Sequence, residues 1–349
     1  MSLLDRFDPP PARHVYRWDL DKTYLKTEFD TFGDLLRTAF QKAEEKVNVP
    51  GTAALMRELR QNGVTPNRVC IISGSPRQMR AVLEEKLRLD GNTWDELVLK
   101  PNISNMLRGR FRAVRGQLGY KLPALLESRA RTPLEAEETL FGDDAEADAF
   151  IYSLYSDLVA GRVDGPTLEK ILEAGELYDD QAETCLQLAA QIEKSEITRR
   201  IFIHLDRRSP PARFSRYGPR VVPIYNYFQA ALVLMTDGQL GSISVLKVAA
   251  EMVANYGYSV LTLGNSFQDL VRRGLPVAGL AVKLAEAITS DNPLTQVLRP
   301  APDIFAAFAK RIAALGAVPA PPPPVQVDYL ALLDDARPRK HGRPKQAAR

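Results

Sequence analysis

HVYRWDLDKT, residues 14–23, decides the fold. Its first half, His14–Trp18, is a short run built on Val, Tyr and Trp and reads as a strand. Its second half sets Asp19 and Asp21 two residues apart where that strand ends. Two carboxylates at the end of a buried strand are costly unless they are paired or bind a cation. Working outward, RVCIIS (Arg68–Ser73) is a continuous apolar run, as expected of a strand covered on both faces. ELVLK (Glu96–Lys100) and ETLFGDD (Glu138–Asp144) read as further strands. Helices are predicted between them over Gly51–Gly63, from about Gln78 to Leu89, and over Lys121–Arg129, which Lys121 begins. Strands alternating with helices predict an α/β fold, a Rossmann-like parallel sheet flanked by helices.

Beyond Asp148 the pattern becomes mostly helical. Ala149–Ala160 and Thr167–Ile197 read as helices, IFIHL (Ile201–Leu205) and VVPIY (Val221–Tyr225) as two more strands. From about Asn226 to Leu315 the chain reads helical, with Ile243, Leu246, Ala250 and Val253 forming a one-sided stripe. Val318–Pro324 is nearly all Pro and Ala and is predicted to be extended linker. Asp328–Asp334 is expected to dock as a short helix, and the basic end to be disordered. The expected organisation is a core over 1–225 with a helical insertion at about 153–198, a helical accessory region over 226–316, and a Pro-rich linker and basic tail over 317–349.

Composition excludes several chemistries. Two cysteines, Cys70 and Cys185, make no disulfide framework; with three histidines (His14, His204, His341) they make no usual zinc, haem or iron–sulfur site. The net charge of +3 is uneven. Residues 336–349 carry six of the 46 Lys and Arg and no acid, so the remaining 40 face 43 acids, a net of −3. By charge, then, the body is no nucleic-acid binder, and only the tail is basic. No run reaches the ~18 apolar residues that span a bilayer. The N-terminus is charged from Asp5 onward, so a cytoplasmic protein with reduced cysteines is expected.

The remaining chemistry gathers where the strands finish. Ser73-Gly74-Ser75-Pro76 ends the second strand with a hydroxyl, backbone N–H groups suited to an anion, and a helix start. Gly142-Asp143-Asp144 ends the fourth, with Asp148 one helical turn on. In open α/β sheets ligands bind at this edge. Clustered acids with one lysine and one serine there make a site for a divalent cation and a phosphate. Each piece alone has a plain reading: a helix start, a turn, a solvated lysine. Their joint order at successive strand ends carries the inference.

That order resembles the haloacid dehalogenase superfamily of phosphatases, whose four motifs appear as WDLDKT, IISGSP, YKLP and LFGDDAEAD. Within it the sequence is most similar to the catalytic domain of the actin-patch-associated phosphatidate phosphatase family. Gly142, Asp143 and Asp148 keep that family's spacing and Ile151-Tyr152 matches its Ile-Tyr, whereas Lys22, Gly74 and Asp144-Ala145 depart from it. The resemblance implies that Asp19 is the nucleophile, forming an aspartyl-phosphate, and that Asp21 is general acid and then base. It implies Mg²⁺ held by the Asp19 carboxylate, the Asp21 carbonyl and Asp143, with Asp148 acting through water. Ser73 and Lys121 would hold phosphoryl oxygens, and Thr23, Gly74 and Ser75 complete the substrate-binding set.

Too few residues separate the first two motifs to build a large cap, so the site is expected to be open or covered by the later helices; in the superfamily that the sequence resembles, capless members often act on large substrates, and the resemblance makes a lipid phosphate one candidate. Arg207 and Arg208 follow the IFIHL strand, where they would meet a charged substrate. Arg108, Arg110, Arg112 and Arg115 precede Lys121. The tail RPRKHGRPK is similar to the AT-hook peptide and is otherwise a polybasic segment suited to weak binding of anionic membrane or nucleic acid. Two alternatives stay open: a nucleic-acid end phosphatase guided by the tail, and a degenerate module that only senses phosphate.

Overall fold

The computed structural model describes residues 12–26, 42–62, 67–100, 110–288 and 325–336, together with 298, 310, 320 and 323. Six strands form one parallel sheet: β1 His14–Trp18, β2 Arg68–Pro76, β3 Glu96–Lys100, β4 Glu137–Asp143, β5 Thr198–His204 and β6 Val221–Ile224. Their order is β3-β2-β1-β4-β5-β6. The sequence therefore runs outward to one edge, returns to the centre, and runs outward to the other. The switch falls between β1 and β4, the place where such sheets bind ligands at their carboxyl ends.

Helices cover both faces, which is why all five β1 residues are buried. Alternation along the strand sends Tyr16 and Trp18 to one face and Val15 and Arg17 to the other. On the first face Trp18, Ile71, Phe141, Phe202 and Ile224 pack against α1 (Thr52–Gln61), α2 (Arg80–Leu89), α7 (Tyr227–Thr236), α8 (Ser242–Tyr256), α9 (Val260–Arg272) and α10 (Leu280–Ile288). On the second, Ile72, Leu140, Ile201 and Ile203 pack against α3 (Arg110–Ala130), α4 (Asp148–Val159), α5 (Gly165–Ala174), α6 (Asp179–Gln191) and α11 (Tyr329–Ala336). The result is three layers, with the α7–α10 helices built into the core rather than standing apart.

Three expectations need adjusting. The helix carrying Lys121 begins at Arg110, so Lys121 lies in its second half. Gly116, Gly119 and Pro123 argue against a helix locally, but Gly119 lets α3 approach Gln181 of α6, where a Cβ would collide, and tertiary packing overrides propensity. The stretch Thr167–Ile197 is not one helix. It breaks after Ala174, where Gly175 closes α5 and Glu176 takes a left-handed φ of 56° before α6 starts. The 226–316 region is helical from Tyr227 to Ile288 with three breaks; nearly all of 289–324, and all of the tail 337–349, lie outside the described residues. The short helix expected at Asp328–Asp334 is α11. Among the described residues no helix is long and apolar enough to cross a membrane.

Candidate functional site

Asp19 is the first residue past β1, and its N–H donates to Phe141 O at 2.9 Å, tying it to the carboxyl end of β4. Beneath it Trp18 stacks on Phe141 with ring centroids 3.8 Å apart, and Phe141 on Phe202 at 5.2 Å. This aromatic floor gives the two strand ends a fixed separation. Asp143 ends β4, and Asp148 opens α4 with its side chain turned back, accepting from Asp143 N–H at 3.2 Å. Gly142 permits that turn, because a Cβ there would meet the Asp148 side chain.

Lys121 reaches this edge from α3 and is fully buried. Its Nζ lies 2.5 Å from Asp148 Oδ1, 2.8 Å from Glu146 Oε2 and 3.2 Å from Asp19 Oδ1. Ligand atoms of Asp19, Asp143, Glu146 and Asp148 all lie within 4.8 Å of one another. Four carboxylates against one ammonium leave the site short of positive charge. Burial pushes the Asp19, Asp143 and Asp148 carboxyls above their usual range; Lys121 opposes this and the neighbouring acids add to it. The same carboxylates, outweighing its burial, hold Lys121 well above the ordinary lysine range.

Both Asp19 oxygens and Asp143 Oδ2 are buried without a hydrogen-bond partner. Such atoms in a native site call for an explanation, and a cation supplies one. The donors are all hard oxygens, which suit Mg²⁺ or Ca²⁺ rather than a thiophilic metal.

Asp21 stands apart from that group. Its Oδ2 accepts from Ser75 Oγ at 2.6 Å and Ser73 Oγ at 3.2 Å, and Ser73 Oγ in turn accepts from Ser75 N–H at 3.0 Å. Burial raises the Asp21 carboxyl, and the two serine hydroxyls oppose that rise. Gly74, between the serines, faces the Gln117 amide. Thr23 is buried with a hydroxyl lacking a partner. Arg207 and Arg208 are exposed on the loop after β5; the N–H groups of Arg207 and Ser209 donate to the Asp144 carboxylate at 2.7 and 2.9 Å, which fixes this loop beside the site. The side chains of Arg108, Arg110, Arg112 and Arg115 lie outside the described residues.

Three contributors escaped the sequence reading. Glu146 joins the acidic group. His204, at the end of β5, meets Lys22 O through Nδ1 at 2.9 Å, and Tyr227 OH donates to Thr23 O at 2.8 Å. Together they hold the loop carrying Asp19 and Asp21, in which Lys22 takes a left-handed φ of 60°. A histidine inside the apolar IFIHL run was the only sequence signal for any of them. No family model, curated protein or solved structure matches the chain.

Proposed function

We propose that this protein is a magnesium-dependent phosphomonoester hydrolase of the haloacid dehalogenase type, with Asp19 as nucleophile. The observation that carries this reading is the Asp19 carboxylate: buried, unpartnered in hydrogen bonds at both oxygens, within ion-pair distance of Lys121, and grouped with Asp143, Glu146 and Asp148 at the switch point of the sheet. Asp19, Asp143 and Asp148 would hold the ion, which would screen the phosphoryl charge from the carboxylates.

An Asp19 oxygen bonds to phosphorus as the ester P–O bond breaks, and Asp21 gives its proton to the departing oxygen. Burial favours the protonated Asp21 that this step needs. Water then attacks the phosphorus of the aspartyl-phosphate. Asp21 takes the water proton, the bond to Asp19 breaks, and phosphate leaves. Lys121 and Ser73 would bind phosphoryl oxygens. The substrate is a phosphorylated molecule in the cytoplasm, and a phosphatidate-like lipid phosphate is the class to examine first.

The test is phosphate release from lipid, sugar, nucleotide and polynucleotide phosphates by the full chain, with magnesium and with excess chelator. Release that requires magnesium and disappears in Asp19→Asn is expected. Release that survives chelation or the substitution overturns the reading.

A further inference from the structure

Lys121 donates to Asp148 and Glu146 and lies 3.2 Å from Asp19 Oδ1. A phosphoryl oxygen arriving at this lysine competes with these carboxylates for its charge, and only a carboxylate that can move can yield its place. Asp19 and Asp148 are fixed at a strand end and a helix start, and both are buried. Glu146 sits on the connecting loop with its side chain 24% exposed. It is the partner that can leave.

It also has somewhere to go. Glu146 lines a cleft of about 170 Å³ together with Ser209, Arg213, Phe214 and Leu332. At about 30 Å³ per water, that is room for several waters or one carboxylate with its hydration. Arg213, on the Pro211–Tyr217 helical turn, is exposed and has no ion pair among the described residues, whereas Arg216 on the same cleft is matched by Asp335 at 2.6 Å.

We propose that Glu146 occupies the phosphoryl position on Lys121 in the resting protein and that an incoming phosphate displaces it into the cleft, where Arg213 receives it. Glu146 is thus a built-in competitor that sets the affinity of the site for phosphate. The proposal rests on Lys121 being the phosphate-binding lysine of the reading above. In the exchange Lys121 takes a phosphoryl oxygen in place of a carboxylate, and Arg213, which has no ion pair at rest among the described residues, gains that carboxylate.

The test uses inorganic phosphate alone, titrated calorimetrically into the full chain with magnesium present, so it does not depend on turnover. Glu146→Gln is expected to bind phosphate about fivefold or more tighter than wild type, and Arg213→Ala more weakly by a similar factor. In the Glu146→Gln background, Arg213→Ala is expected to change nothing, because the glutamate it receives is gone. Equal effects of Arg213→Ala in both backgrounds would make Arg213 a plain electrostatic contributor and overturn the exchange. Unchanged or weaker phosphate binding in Glu146→Gln, or a loss of magnesium affinity there, would make Glu146 a spectator or a metal ligand, and also overturns it. Absence of hydrolysis with phosphate binding and coupling intact would overturn the phosphatase reading alone.

Discussion

Gly142 and Asp148 are in contact so close that a Cβ on Gly142 would lie 2.5 Å from Asp148 Oδ2 and 2.6 Å from Asp148 Cβ. The glycine is the penultimate residue of β4, with no left-handed φ to explain it; space for the aspartate is its reason. Gly142→Ala must therefore push Asp148 off Lys121. Overpacking of this kind costs about 1–3 kcal/mol, and a displacement near 1 Å at a reacting centre costs about 10²-fold in rate. Melting and phosphate-release measurements on Gly142→Ala are expected to show both losses. A variant with wild-type stability and activity would mean that the Asp148 position is not required.

Arg17 in β1 forms a two-point pair with Glu138 of β4, Nε to Oε2 at 3.0 Å and an η nitrogen to Oε1 at 2.7 Å, and Tyr155 OH adds a bond to Oε2 at 2.7 Å. Both partners are buried. Leaving one buried charge unpaired costs about 3–5 kcal/mol. Glu138→Gln is expected to lower stability by that order while leaving the pH dependence and magnesium requirement of hydrolysis as in wild type, since Glu138 is the second residue of β4, at the opposite end of the strand from Asp143. Chemical denaturation measures the first and kinetics the second.

Legibility in the sequence followed burial. Asp19, Asp21, Ser73 and Asp143 were visible because polar groups at the ends of apolar strands need a reason to be there; Lys121 and Asp148 were read from their order relative to those strand ends. The alternation of strands and helices gave the layers, since each element's pattern is local. Glu146 was hidden because a glutamate in a surface loop looks like any other; only the fold brings it to Lys121. Arg17 was hidden for the opposite reason, a charge inside a strand whose partner is 121 residues away. The α3 boundary was missed because Gly119 and Pro123 speak against a helix until the contact with α6 is known. Tyr227, from the helical layer, contributes a contact to the Asp21 loop that no local pattern announces.

Burial raises the Asp21 carboxyl above its usual range, whereas the Ser75 and Ser73 hydroxyls favour its charged form. Ser75→Ala removes the shorter bond and must raise the Asp21 carboxyl further. A general acid works below its own titration point. The alkaline limb of alkyl phosphate hydrolysis is therefore expected to move to higher pH in Ser75→Ala. Asp21→Asn is expected to cut alkyl phosphate cleavage by about 10²–10⁴-fold and activated aryl phosphate cleavage far less. Matched pH–rate profiles on the two substrates decide it. Equal losses on both would remove Asp21 from proton transfer to the leaving group.

Asp143 is held above the usual carboxylate range by burial and then by Asp148 and Glu146. The folded protein thus binds this proton more tightly than the unfolded chain. Its contribution to stability is full below the ordinary aspartate titration and is lost as pH rises through the folded value. Metal-free wild type is therefore expected to melt at lower temperature as pH is raised from about 4 to 7. Asp143→Asn cannot titrate there, so its decline is expected to be shallower, with Asp19 and Asp148 supplying what remains. Magnesium is expected to reverse the effect by supplying the missing positive charge. At 100 times its dissociation constant a ligand adds about 2.7 kcal/mol, so at pH 7 wild type is expected to gain several degrees from the ion and Asp143→Asn much less. Calorimetric scans of both proteins across this pH range, with magnesium and with chelator, give all four curves. Equal gains from magnesium would show that Asp143 does not ligate the ion, and parallel pH slopes without it would show that Asp143 is already charged in the folded state.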